Sequence, residues 1–136
     1  MEKGVFAVYN AKIYKVSSVK GNLVRLVSSD KNDKKNGFYE KIYQSTVQNT
    51  STLPQLFVKE VKKEEVDKIY EVDFKAKFNG NVYNLTFNKV TNSFTLGTND
   101  AKLARENGFE RTDKYYYEKQ INEDEIEIIK EIKHLN

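Results

Sequence analysis

The chain has no cysteine, one histidine and one proline in 136 residues. Each scarcity closes off some chemistry. Without cysteine there is no disulfide framework, no thiol nucleophile and no thiolate metal site. With His134 as the single histidine, a zinc-type cluster cannot assemble. A Ser-His-Asp arrangement would have to hang on a residue close to the chain end, which positions it badly. Neither a Walker-type loop nor a GxGxxG run is present, and the glycine-containing turns read as hairpin turns. The opening "MEKGVFAVYN" holds no apolar run of signal-peptide length, and no stretch reaches ~18 apolar residues. The expectation is a cytosolic protein with no cofactor, no metal and no catalytic residue.

Carboxylates are the remaining route to catalysis. They cluster in "KEEVD" (63–67) and "NEDEIE" (122–127), and Asp30 falls opposite Asp100. Such groups bind magnesium or move protons. Here they sit where first helical turns are expected, and the helix dipole already accounts for them.

Hydrophobic residues make up 38% of the chain and aromatic residues 12%, with nine Tyr and eight Phe. That aromatic content argues for a folded chain with a thin, ring-rich core. The net charge of +3 is unevenly spread: residues 1–70 hold 13 basic against 8 acidic side chains, and residues 71–136 hold 10 against 12. A chain polarised in this way can steer a charged partner.

The same word, Asn-Gly-Phe, stands at 36–38 and at 107–109. It belongs to a longer correspondence. "VFAVYNAKIYKV" (5–16) lies over "FKAKFNGNVYNL" (74–85) at an offset of 69, and "VRLVSSD" (24–30) over "FTLGTND" (94–100) at 70. "VKKEEVDKIYEV" (61–72) lies over "INEDEIEIIKEI" (121–132) at 60, because the first copy carries an insertion around 44–55. Apolar positions match apolar positions, and turns match turns, as in an internal repeat whose surface has diverged. Two copies of ~65 residues are each near the lower limit for folding alone. The expectation is one domain, 1–136, built of repeats at about 4–71 and 72–136 and packed as one compact body.

Within each copy the pattern alternates with period two. Phe74, Ala76 and Phe78 oppose Lys75, Lys77 and Asn79, which predicts a half-buried strand. "NGN" (79–81), "KVTN" (89–92) and "KGN" (20–22) predict tight turns. "TNDAKLARENG" (98–108) predicts a short helix capped by Asn99 or Asp100 and ended by Gly108. Phe38 and Phe109 then anchor the strand that follows. The last segment predicts a helix, with Asn122 and Glu125 as a capping-box-like start and Ile126, Ile129 and Ile132 on its core face. "KEEVDKIYEV" predicts a shorter one. The fold class expected is α+β, mostly antiparallel β, as two tandem SH3-like ββββ(β)α repeats.

Three surfaces present recognition chemistry. The polar insertion 44–55 is either a binding loop or a mobile one. Lys31, Lys34 and Lys35 in "DKNDKKNG" can meet phosphates, although Asp30 and Asp33 offset them. In "KYYYEK" (114–119), Tyr115 and Tyr117 should share one strand face and Tyr116 the other, with two of the three in the core. Tyrosines also anchor interfaces and stack on bases.

Through "NGNVYNL", "ENGFERTDKYYYEK", "INEDEIEIIKEI" and their first-copy counterparts, the chain resembles the immunity proteins of bacterial polymorphic secreted-toxin systems. The resemblance implies a non-catalytic cytoplasmic protein that binds a cognate toxin or another protein target and occludes it. It makes the acidic row Glu123, Asp124, Glu127 and Glu131 a candidate contact with a basic toxin, although the overall charge of +3 departs from that expectation. Two alternatives stand beside it: an SH3-like nucleic-acid-binding module, favoured if Lys12, Lys15, Lys20, Lys31, Lys34 and Lys35 share one side but opposed by only three arginines and interleaved charges, and a phage-encoded inhibitor of a host defence protein.

Overall fold

The computed structural model describes residues 2–43 and 53–136. The chain is mostly antiparallel β-sheet with few helical turns, and it divides into two compact units.

The first unit comprises Gly4–Glu71 with Lys133–Asn136. Its strands are β1 (Gly4–Tyr9), β2 (Lys12–Lys20), β3 (Leu23–Ser28), β4 (Tyr39–Glu40), β5 (Phe57–Lys62) and the start of β6 (Lys68–Phe78). They pair in the order β4-β5-β3-β2-β1-β6. Between β3 and β4 lies a 3-10 helix, Lys31–Asn36, and between β5 and β6 a 3-10 turn, Lys63–Glu65. Alternation places Ala7, Tyr9, Tyr14, Val24, Leu26, Phe57, Val61 and Ile69 in one core with Phe38. Polar and charged residues on the same strands face outward, as the period of two requires.

The second unit comprises Val72–Ile132 with the N-terminal residues up to Lys3. It holds the end of β6, then β7 (Asn81–Asn88), β8 (Ser93–Thr98), α1 (Ala101–Glu106), β9 (Glu110–Asp113), β10 (Tyr116–Ile121), a 3-10 turn at Glu123–Glu125 and β11 (Glu127–His134). The order is β6-β7-β8-β10-β9, with β11 also pairing β6. Asn79 and Gly80 take the positive φ of a tight hairpin, at 49° and 79°. Asp100 caps α1 by accepting from the backbone N–H groups of Lys102 and Leu103.

Several contacts of the first unit recur in the second. Tyr14 stacks on Phe38 with ring centroids 4.9 Å apart, and Tyr83 packs on Phe109 at 5.0 Å. Tyr9 meets Tyr14 at 6.4 Å, and Phe78 meets Tyr83 at 6.4 Å. The Lys59 ammonium lies 5.0 Å from the Tyr9 ring centre, and that of Lys119 lies 5.9 Å from the Phe78 ring centre. The backbone N–H of Phe38 donates to the Asp33 carbonyl at 3.1 Å, and that of Phe109 to the Ala104 carbonyl at 2.9 Å. This explains the twice-used word. Gly37 and Gly108, at φ of 89° and 76°, end a helical turn, and the phenylalanine after each drops onto a core tyrosine.

Two expectations are corrected. The predicted C-terminal helix is one 3-10 turn followed by β11, and the shorter helix over "KEEVDKIYEV" is one 3-10 turn followed by β6. The start signals do operate: the N–H of Asn122 donates to Glu125 Oε2 at 3.1 Å, and that of Lys62 to Glu65 Oε2 at 2.8 Å. The helices then stop because β-branched residues follow. Ile126, Ile128, Ile129 and Ile132 lose little rotamer freedom in a strand and more in a helix. An isolated helix of this length is marginal in any case, whereas β11 gains a hydrogen-bonding partner in β6. Of the insertion 44–55, residues 44–52 lie outside the described residues. No helix among the described residues is long and apolar enough to cross a membrane.

Candidate functional site

In the first unit a carboxylate is buried. The Asp33 side chain is 1% exposed and points from the 3-10 helix toward the core. Four donors converge on it. Tyr14 Oη donates to Oδ1 at 2.8 Å and Asn36 Nδ2 at 3.0 Å. Ser28 Oγ donates to Oδ2, as does Lys12 Nζ at 2.9 Å. Lys12 also reaches Asp30 at 3.2 Å. These donors come from β2, β3 and the 3-10 helix, so the cluster ties three elements at one point. Burial acts to raise the Asp33 pKa, but the bonds from Ser28, Lys12, Asn36 and Tyr14 outweigh it and hold the carboxyl well below the usual range. Burial, followed by the bond to this carboxylate, pushes the Tyr14 hydroxyl up to about 12. With all its donors in place the group accepts no further proton near neutrality. The four donors make it an anchor joining β2, β3 and the 3-10 helix.

Lys31, Lys34 and Lys35 stand exposed on the outer side of the same 3-10 helix. Lys34 passes over the Phe57 ring at 5.5 Å. Lys59, rooted in β5, donates to the Asn36 carbonyl and the Tyr9 hydroxyl, both at 2.9 Å. The structure therefore groups the three predicted lysines around a pinned turn.

In the second unit the residue that the sequence offset of the Asn-Gly-Phe word sets against Asp33 is Ala104, which is 1% exposed. Tyr83, where the first unit has Tyr14, is 2% exposed, and its hydroxyl finds no hydrogen-bond partner among the described residues. Burial, the largest influence, pushes that hydroxyl up against a lowering influence from Asn81.

Tyr116 is half-buried on β10. Its hydroxyl accepts from Asn84 Nδ2 at 3.3 Å and lies across Gly97 of β8. A Cβ at Gly97 would meet the tyrosine oxygen at 1.8 Å. Gly97→Ala is therefore expected to expel the Tyr116 ring and destabilise the chain by about 1–3 kcal/mol, measured by urea unfolding. The expectation that two of the three tyrosines lie in the core is corrected. Tyr115 is 72% exposed in the turn, and Tyr116 and Tyr117 are half-buried. A register shift between Tyr116 and Tyr117 interrupts the alternation.

Glu123 and Asp124 are exposed on the 3-10 turn, and Glu127 and Glu131 on β11. The helical row that would have aligned all four does not form. Instead Glu127 and Glu131 share a strand face with Ile129, while Glu123 joins Glu125 at the rim of a cleft of about 620 Å³. The floor of the cleft is the Phe87–Phe94 pair, with centroids 4.8 Å apart, and Ile121; Asn92, Gln120 and Asn122 complete the rim. The matching end of the first unit is tied shut, because the Lys63 N–H donates to the Asn22 carbonyl at 2.9 Å. Among the described residues no such bond joins Glu123 to Asn92. The β2–β3 turn is the two residues Gly21 and Asn22, while the β7–β8 turn runs from Lys89 to Asn92, with Val90 95% exposed at its tip. The longer turn leaves this end of the second unit open.

Residues 1–136 match the family described as "Uncharacterised conserved protein UCP033725". The chain belongs to that family. No curated protein matches it, and no solved structure does. Among the described residues no group of three or more His, Asp or Glu side chains is placed to hold a metal ion.

Two features of the site escaped sequence reasoning. Asp33 reads in the sequence as one more polar residue of a solvated loop. Its signal was the repeat register, which sets Asp33 opposite Ala104, an apolar position on the inner side of α1. The cleft had its trace in the two extra residues of the β7–β8 turn.

Proposed function

We propose that this chain is a non-catalytic binding protein that grips a protein partner through the open mouth of its second unit. In this reading the chain arose by doubling an SH3-like half-barrel. The recurrent contacts, Tyr14–Phe38 with Tyr83–Phe109 and Lys59–Tyr9 with Lys119–Phe78, support the doubling. One copy keeps a closed mouth and serves as scaffold. The other has lost its closing bond and gained a recognition cleft.

The cleft carries the proposal. A partly exposed aromatic floor with a polar rim is the anatomy of a docking pocket, where a bulky apolar anchor is desolvated and the rim sets orientation. Glu123 and Glu125 give the rim a negative sign, and Glu127 and Glu131 follow on β11, so the matching segment carries Lys or Arg around its anchor. The resemblance to immunity proteins makes that partner a cognate secreted toxin, held in the cytoplasm of the producing cell with its active surface occluded.

Where a secreted-toxin gene adjoins this one, co-purification with its C-terminal domain, followed by calorimetry, tests this. Phe94→Ala is expected to weaken the complex at least about 30-fold, as removal of a central anchor does. Glu123→Lys with Glu125→Lys should slow association and invert its salt dependence. A complex indifferent to all three changes would place the interface elsewhere, and turnover of a substrate by the purified chain would end the non-catalytic reading.

A further inference from the structure

We propose that the 3-10 helix Lys31–Asn36 of the first unit is a second recognition surface, on which Lys31, Lys34 and Lys35 hold the phosphate backbone of a nucleic acid. This is independent of the cleft in the second unit and stands or falls without it.

The argument starts from charge. A run reading Asp-Lys-Asn-Asp-Lys-Lys is nearly balanced on paper, but the fold separates its signs. Asp33 is turned inward, buried, and matched there by Lys12. Asp30 is occupied by the Asn32 N–H at 2.9 Å and by Lys12 at 3.2 Å. Asp30 stays about half exposed, so the turn shows solvent three lysines against one carboxylate already engaged by Lys12. A 3-10 helix has three residues per turn, so Lys31 and Lys34 stand in line about 6 Å apart along its axis, with Lys35 beside them. Lys59 adds positive potential from beneath, at the Asn36 carbonyl.

Rigidity points the same way. Burying a carboxylate is costly unless every acceptor site is used, and the second unit shows that this motif folds without one, with Ala104 in the same place. There the exposed side of α1 mixes signs, with Lys102, Arg105 and Glu106. The four-donor network therefore does something local to the first unit: it pins the lysine-bearing turn against β2 and β3. A pinned, convex, basic turn is suited to contact along a strand of phosphates, where position matters and base identity does not. The turn's cationic groups are all lysine. Lysine binds phosphate as a point charge without demanding bidentate geometry, which suits contact along a backbone whose base sequence is not read.

Fluorescence anisotropy with labelled oligonucleotides of about 20 nucleotides, single- and double-stranded, tests the proposal across a salt series. The intact chain should bind at low salt. Three phosphate contacts predict a slope of log K against log salt of about −2 for the single strand and about −3 for the duplex. The form bound more tightly at the same salt concentration is the preferred one. Lys31→Gln/Lys34→Gln/Lys35→Gln should lower affinity at least about 10-fold and flatten the slope by about 2. The charge-matched control Lys89→Gln/Lys102→Gln/Lys130→Gln, on exposed positions of the second unit, should keep most of the binding. Circular dichroism confirms that both triple variants are folded. Three results overturn the proposal: no binding by the intact chain at low salt, equal loss in both triple variants, or a poly-glutamate peptide that binds in place of either oligonucleotide.

Discussion

Replacing Asp33 by alanine is expected to lower the unfolding free energy by about 3–5 kcal/mol, read as a large fall in the urea midpoint. The loss comes mainly from what is left behind. Tyr14 Oη and Ser28 Oγ are both buried and both donate to this carboxylate. Each orphaned hydroxyl costs about 1–3 kcal/mol. Lys12 loses its nearer carboxylate but keeps Asp30 and solvent, so it adds little. Asp33→Asn should recover only part of the loss: its amide oxygen keeps the bonds from Tyr14 and Asn36 and its N–H donates to the Ser28 hydroxyl, but it faces the Lys12 ammonium, which cannot accept.

The same residue shapes the acid limb of stability. Its folded-state pKa is held far below the ordinary carboxylate value of about 3.9. A depressed carboxylate contributes stability that is complete above the unfolded-state pKa and is lost as pH falls toward the folded-state value. The intact protein should therefore hold its Asp33 contribution from neutrality down to about pH 4 and shed it below that. In Asp33→Ala the decline below about pH 4 should be shallower. Identical acid limbs in the two proteins would mean that the carboxylate is not held as the geometry shows.

The second large effect is at Phe38. Truncation to alanine should cost about 3–5 kcal/mol, because the ring is 4% exposed and stacks on Tyr14. The matching change Phe109→Ala, at a half-buried ring, should cost about 1–3 kcal/mol. Thermal or urea unfolding of the pair gives the comparison. The ordering matters more than the sizes. Phe38 closes over a hydrogen-bonded tyrosine in a sealed core, whereas Phe109 covers Tyr83, whose hydroxyl has no partner to lose among the described residues. A larger loss at Phe109 would reverse the assignment of scaffold and open unit.

The local features of this fold were legible because their causes are local. Asn-Gly at 79–80 demands positive φ, and the chain turns there. Asp100 before an apolar-periodic run caps a helix. Phe74, Ala76 and Phe78 alternate, and β6 follows. The Asn-Gly-Phe word predicted a turn end followed by a core ring; both turns end there, but only Phe38 is fully buried and Phe109 is half-buried. The failures had distant causes. Residues 126–132 carry a helical spacing of isoleucines and a valid helix start, yet form β11 because β6 offers a hydrogen-bonding edge that no window of sequence contains. The acidic row Glu123, Asp124, Glu127 and Glu131 dissolved with that helix.

Composition and pattern thus decided the class: strand-rich, turn-punctuated, aromatic in its core and without cysteine chemistry. Those properties follow from backbone dihedrals and side-chain periodicity, which act over a few residues. The fate of Asp33 was decided by tertiary structure, since Lys12, Tyr14 and Ser28 lie 21, 19 and 5 positions away and reach it only once the sheet has formed. The open end of the second unit was decided in the same way, by whether a turn at 89–92 reaches a turn at 123. Burial and closure are properties of assembled surfaces, where desolvation and hydrogen-bond satisfaction are set by every neighbour together.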